Sequence, residues 1–330
     1  MAKSRNVSLD AVGGLFIIQM IMMHAFQRSG IWDDTTYERV IAILFCYMPW
    51  FFFKSGMFYK EKPLGQTIQH GIRRLIMPFA IYSIIGQIFT SWQNYLTTGD
   101  KNWIHYVLSP IKDAFFSGSF SGNLPLWFLI SLFLVKLIVG LADKYKINKI
   151  CLLCSALILS GGGTILIKYN NHLPYWVFSS ALGLVFYLFG YYFRESQYKN
   201  KWVKFLGLLA ALVAIIGIPS GVDLRTDTTY KGLWIIYIIG SVGSIIIINN
   251  LFRLRIFQFP ILTSIGRESM EYYCAHWILF TIILLACQFP NNDIPNYTCF
   301  WTLLMFSILI LPQYSWILHV IRTKKIENRT

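Results

Sequence analysis

Apolar runs long enough to cross a bilayer recur along this chain, separated by short and mostly basic links. A helix that spans the hydrocarbon core needs about 20 mainly apolar residues. In lipid, only helices and closed barrels satisfy their own backbone groups. Ten stretches qualify: 10–28, 40–59, 73–95, 122–142, 149–167, 175–194, 202–219, 231–250, 259–286 and 298–320. The pattern predicts an all-α, polytopic membrane protein with ten transmembrane helices, forming a single domain over 1–330. The ninth stretch carries Arg267, Glu268 and Glu271, so its first part is expected at the interface. The largest link on the outer side, 96–121, carries Trp103, His105 and Tyr106. No repeat, low-complexity tract or second domain stands out.

Hydrophobic residues make up 55% of the chain and charged ones only 13%, against about 25% charged in soluble domains. The net charge of +14 would suit nucleic acid, but the cations sit in tracts between apolar runs instead of on one soluble face. Nucleic acid is therefore excluded as a partner, and the bilayer is expected instead. With the sides alternating from the N-terminus, 20 of the 29 Lys and Arg fall on one side and seven on the other, while Lys54 and Lys136 fall inside spans. The positive-inside rule then places both termini in the cytoplasm. The first apolar run, Ala11–Phe26, contains Gln19 and His24, precedes Arg28 and has no small-x-small cleavage site. It is expected to be a retained span and not a signal peptide. The six cysteines lie in or beside apolar segments, as small buried side chains do. Cys151 and Cys154 form a C-x-x-C with no second pair at zinc-ligand spacing, so neither a metal site nor a disulfide framework is expected.

Titratable groups inside spans are costly and often functional. His24 lies towards the outer end of the first span, where an imidazole can serve as a general base or simply hydrogen-bond to a neighbour. Lys54 interrupts the aromatic run Trp50-Phe51-Phe52-Phe53 and precedes Ser55-Gly56; it can act there or snorkel to the cytoplasmic side. His276 sits beside Tyr272, Tyr273 and Trp277, which suit either an aromatic belt or a pocket wall. Lys136 is expected to snorkel. Arg73 and Arg74 open the third span, where a pair of arginines can grip phosphates or mark topology only.

Several motifs together resemble the acyltransferase-3 family of bacterial integral membrane O-acyltransferases. Arg5-Asn6-Val7-Ser8-Leu9-Asp10, followed by the run to His24, is similar to the family's first helix. Pro49 to Phe58 resembles its aromatic Ser-Gly second helix, and Arg73-Arg74-Leu75-Ile76-Met77-Pro78 its entry to the third. Leu124-Pro125-Leu126-Trp127-Phe128-Leu129 resembles its Leu-Trp-Phe-Leu motif, and Ile265-Gly266 with Ser269, Met270, Tyr273 and His276 its late segment. Phe186 to Phe193, with Gly190, is a weaker sixth likeness. The chain departs from the family at Gly13, where an arginine usually stands eleven residues before the histidine, and at Lys54, where an apolar residue is usual. Lys54 is expected to restore the missing positive charge.

The resemblance implies transfer of an acyl group, most often acetyl, from cytoplasmic acyl-CoA to a hydroxyl of a cell-surface or exported carbohydrate. Acyl-CoA would be a co-substrate, with no permanently bound cofactor. The expected catalytic residues are His24 as general base with Lys54, Tyr273 and His276. Arg73 and Arg74 would bind the CoA phosphates, and Asp10, Ser55 and Trp127 the substrate. The implied location is the bacterial inner membrane, and a homodimer is left open. Two other classes remain at this stage: a transporter of glycan or lipid-linked sugar, and an inactive family member serving as a scaffold in polysaccharide synthesis.

Overall fold

The computed structural model describes residues 5–31, 45–99, 110–169, 174–213, 221–225, 228–231, 233–287 and 296–327. Trp103, His105 and Tyr106 of the long link lie outside them. The described residues are overwhelmingly helical, with one two-stranded antiparallel hairpin of β1 (Gly221–Asp223) and β2 (Thr228–Lys231). Lys231, expected to open the eighth span, belongs to this hairpin instead, and the helix begins at Trp234. Seven helices among the described residues are long and apolar enough to cross a membrane. The other three expected spans fall on shorter described apolar lengths: Tyr47–Met57, Lys201–Leu212 and Tyr297–Gln313. The first of these starts late because Pro49, which has no amide N–H to donate, fits only the first turn of a helix. The chain is thus a multi-pass membrane protein, and its residues cluster into two compact units.

The first unit joins the N-terminal region to residues 252–330. Helix α1 (Val7–Arg28) is capped by Asn6, whose side chain accepts from the Leu9 amide at 3.2 Å. The expected ninth span is two helices, α12 (Pro260–Arg267) and α13 (Ser269–Cys287), broken at Glu268 where the charged residues cluster. Helix α1 crosses α12 with the two backbones touching. A Cβ on Gly14 would strike the Leu262 carbonyl, and one on Gly266 would strike that of Asp10. Small residues permit such approach where lipid offers no hydrophobic drive for helices to associate. Helix α14 (Tyr297–Glu327) is tied to the end of α1 by the Asn296 amide, which donates to the Ser29 carbonyl at 2.9 Å. Phe26 and Phe300 stack above this tie at 4.2 Å.

The second unit, residues 42–251, holds the remaining elements. They are α2 (Tyr47–Met57), α3 (Leu64–Gly71), α4 (Met77–Thr98), α5 (Pro110–Ser117), α6 (Trp127–Lys144), α7 (Lys149–Tyr169), α8 (Tyr175–Phe193), α9 (Ser196–Lys199), α10 (Lys201–Leu212) and α11 (Trp234–Leu251). A π-helical turn, Ile72–Ile76, joins α3 to α4 without a break. Helix α2 crosses α8 backbone to backbone, with Gly56 against the Tyr187 carbonyl and Gly190 against that of Phe53. A buried polar chain fixes the same region. The Trp50 indole donates to Asn249 Oδ1 at 2.9 Å, and Asn249 Nδ2 donates to Gln197 Oε1 at 3.0 Å. A 3-10 turn, Ser121–Leu126, lies on α4, where Gln87 Oε1 accepts from the Gly122 amide at 3.1 Å.

Candidate active site

The sequence-predicted site residues divide between the two units. Asp10, His24, Tyr273 and His276 belong to the first, and Lys54, Ser55, Arg73, Arg74 and Trp127 to the second.

In the first unit, the last turns of α1 meet the early turns of α13. His24, half-buried, stacks on the fully buried His276, with ring centroids 5.3 Å apart and planes inclined by 22°. Trp277 meets the same His24 ring edge-on at 5.3 Å. Tyr273 and Phe280 complete the surroundings of His276, at 6.4 and 5.8 Å. Residues three and four apart share a helix face, so His24, Gln27 and Arg28 line one side of α1. His24 Nδ1 lies 2.8 Å from Gln27 Oε1. With that carbonyl oxygen as acceptor, Nδ1 carries the proton and Nε2 keeps its lone pair. His276 is fixed in the same sense, since its Nδ1 donates to the Tyr273 carbonyl at 2.8 Å and the Tyr272 carbonyl at 3.1 Å. Its Nε2 is buried and makes no hydrogen bond. The pair therefore presents two imidazoles whose outer nitrogens are both acceptors.

Asp10 is not part of this cluster. It stands 14 residues before His24 on α1, about 21 Å away at 1.5 Å per residue. Its buried carboxylate accepts from Arg5 Nε at 2.7 Å, with Arg267 Nε at 3.9 Å. Arg5 also donates to the Arg267 carbonyl at 2.9 Å. These contacts clamp the start of α1 to the end of α12. Gly13 is buried one turn further along α1.

In the second unit, Lys54 is half-buried and its ammonium lies 4.7 Å from the Trp50 ring centre, one turn back on α2. Ser55 is the next residue, also half-buried. Arg73 and Arg74 are exposed on the π-helical turn. Trp127 is buried at the start of α6, and its neighbour Phe128 packs on Phe52 and Phe51 of α2 at 4.8 and 6.1 Å.

Sequence reasoning missed Gln27 and Arg28 as companions of His24, although their spacing announces them. It also missed the Trp50–Asn249–Gln197 chain, which joins residues some 200 positions apart and leaves no local signal.

Searches of curated proteins and of solved structures return no match to this chain. A scan against protein-family models matches residues 6–317 to the acyltransferase-3 family, described as an acyltransferase domain. That match covers nearly the whole chain and includes every candidate site residue placed above, so the chain belongs to the acyltransferase-3 family of membrane acyltransferases.

Proposed function

We propose that this protein moves an acyl group, acetyl in the simplest case, from acyl-CoA to a hydroxyl of a cell-surface or exported carbohydrate, with His24 as general base. The observation that carries the reading is the half-buried His24 imidazole stacked at 5.3 Å on the buried His276, with its Nδ1 2.8 Å from Gln27 Oε1. In the step proposed, Nε2 takes the proton of the sugar hydroxyl as the oxygen attacks the thioester carbonyl. The new C–O bond forms, the C–S bond breaks, and the departing CoA thiolate takes up the proton from the imidazolium. A base so placed contributes about 10²–10⁴-fold. Tyr273 and His276 hold the ring and its surroundings. Within the second unit, Ser55 and Trp127 are proposed to contact substrate; within the first, Tyr273 is proposed to donate to the developing oxyanion. Arg73 and Arg74, exposed on their wide turn, are proposed to meet the CoA phosphates. Lys54 supplies the positive charge that the family carries where Gly13 stands. Asp10 is proposed to act at a distance, by fixing the start of the helix that carries His24.

In this proposal the protein lies in a bacterial inner membrane with both termini in the cytoplasm, an orientation that the cation asymmetry supports, so His24 is reached from the outer side and acyl-CoA from the inner one. Membranes containing the full chain are supplied with acetyl-labelled acetyl-CoA and exported glycan. Label should pass to the glycan, and His24→Ala should lower that rate by about 10²-fold or more while the protein remains folded in the membrane. Equal labelling by the variant would refute the role of His24.

A further inference from the structure

The acyl transfer proposed above leaves one group at the end of α1 without a task. Arg28 lies on the same face as His24, one turn on, about 6 Å along the axis at 1.5 Å per residue. Its guanidinium carbon sits 5.1 Å from the centre of the Trp277 ring, the indole that also meets His24 edge-on. Its Nε is buried and makes no hydrogen bond. No carboxylate among the described residues forms an ion pair with it. A buried donor left unmade is costly, and a guanidinium held over an indole ring is partly fixed in place. Other cations of this chain have acids of their own, Arg5 with Asp10 at 2.7 Å and Lys149 with Asp143 at 2.8 Å.

A planar fork of N–H donors fits a two-oxygen anion bidentately. We propose that Arg28 is a specificity-determining residue of the His24 site, binding a carboxylate that lies beside the reacting hydroxyl. This rests on the acyl-transfer reading of that site. The carboxylate comes from one of two sources, an acidic sugar in the acceptor or a dicarboxylic acyl group on the donor. In either case the charge is fixed one helical turn from the base, which sets which hydroxyl and which carbonyl meet at His24.

The test uses the full chain in lipid bilayers, as wild type, Arg28→Gln and Arg28→Lys. One arm compares glucuronate-containing with glucose-only oligosaccharides, using acetyl-CoA. The other compares succinyl-CoA with acetyl-CoA on the glucose-only acceptor. In one arm the wild type should prefer the carboxylate substrate in kcat/KM, carried mainly by KM. Arg28→Gln should reduce that preference by about ten- to a hundredfold, the range for a hydrogen bond to a charged group. Arg28→Lys should restore only part of it, because an ammonium lacks the fork. The arm in which the preference falls identifies the source. If Arg28→Gln lowers charged and neutral substrates equally, or leaves both preferences as they were, the proposal is overturned. Calorimetric titration with glucuronate and with succinate in a His24→Ala background separates this proposal from the acyl-transfer reading. Weaker binding on adding Arg28→Gln supports the carboxylate site even if no transfer is ever detected, and equal binding of both anions refutes it.

Discussion

The crossing of α1 with α12 makes a demanding prediction, because two glycines there leave no room for a single methyl group. In Gly266→Ala the new Cβ would fall on the backbone carbonyl of Asp10, and the obstacle is main chain that no rotamer change can move. The helices must separate, which removes the packing that holds them together in lipid. Overpacking of this kind costs about 1–3 kcal/mol. The intrinsic preference of helices for Ala over Gly returns about 0.5–1 kcal/mol, so the net loss should lie between about 0 and 2.5 kcal/mol, centred on about 1 kcal/mol. Gly162→Ala is the internal control. That residue is in the middle of α7, and a Cβ there meets nothing within 4 Å. With no steric term, only the gain of about 0.5–1 kcal/mol remains, so the two variants should shift in opposite directions. Thermal unfolding of the purified chain in one detergent, at one scan rate, reads both. A Gly266→Ala protein stabilised as much as Gly162→Ala would show that the helices do not meet backbone to backbone.

Three further outcomes follow from contacts already described. Trp50→Phe keeps an aromatic but smaller side chain and leaves Asn249 Oδ1 buried without its donor, and should cost at least about 1–3 kcal/mol. Adding Asn249→Leu should cost less than the sum of the two single changes, in a double-mutant cycle read by thermal unfolding; strict additivity would sever the proposed link. Asp10→Ala leaves behind Arg5, which is 56% exposed and can turn to water. Its cost should therefore stay near 1 kcal/mol, below the 3–5 kcal/mol of a buried pair broken on one side, and a larger loss in the same assay would contradict this. Lys54→Ala should reduce acyl transfer and Lys54→Arg should retain much of it, since the proposed requirement is charge; full activity in the alanine variant would remove Lys54 from the mechanism.

Composition and run length made the membrane class legible, because a bilayer constrains both strongly. Pattern alone could not settle helix ends. Pro49 marks a start that hydropathy ignores, and the β1–β2 hairpin takes Lys231 out of an apolar run whose helix begins at Trp234. His24 and His276 were each visible as costly polar residues. That they stack on one another, 252 positions apart, follows only from how α13 packs on α1. Asp10 illustrates the opposite case. Its partner Arg5 stands five residues away and was legible in the sequence, whereas Arg267, at 3.9 Å from the same carboxylate, is 257 positions on and follows only from how α12 packs on α1.

The wide turn between α3 and α4 has a geometric consequence. The Met77 amide reaches back five residues to the Ile72 carbonyl, whereas an ordinary helix reaches back four. Such a turn holds one residue more than an α-helical turn, and the helix absorbs it locally. Excising one amino acid there would restore uniform winding and rotate everything downstream by about 100°. The two arginines of this loop would then face a different direction relative to α4, so the length of the segment, as much as its sequence, governs where they point.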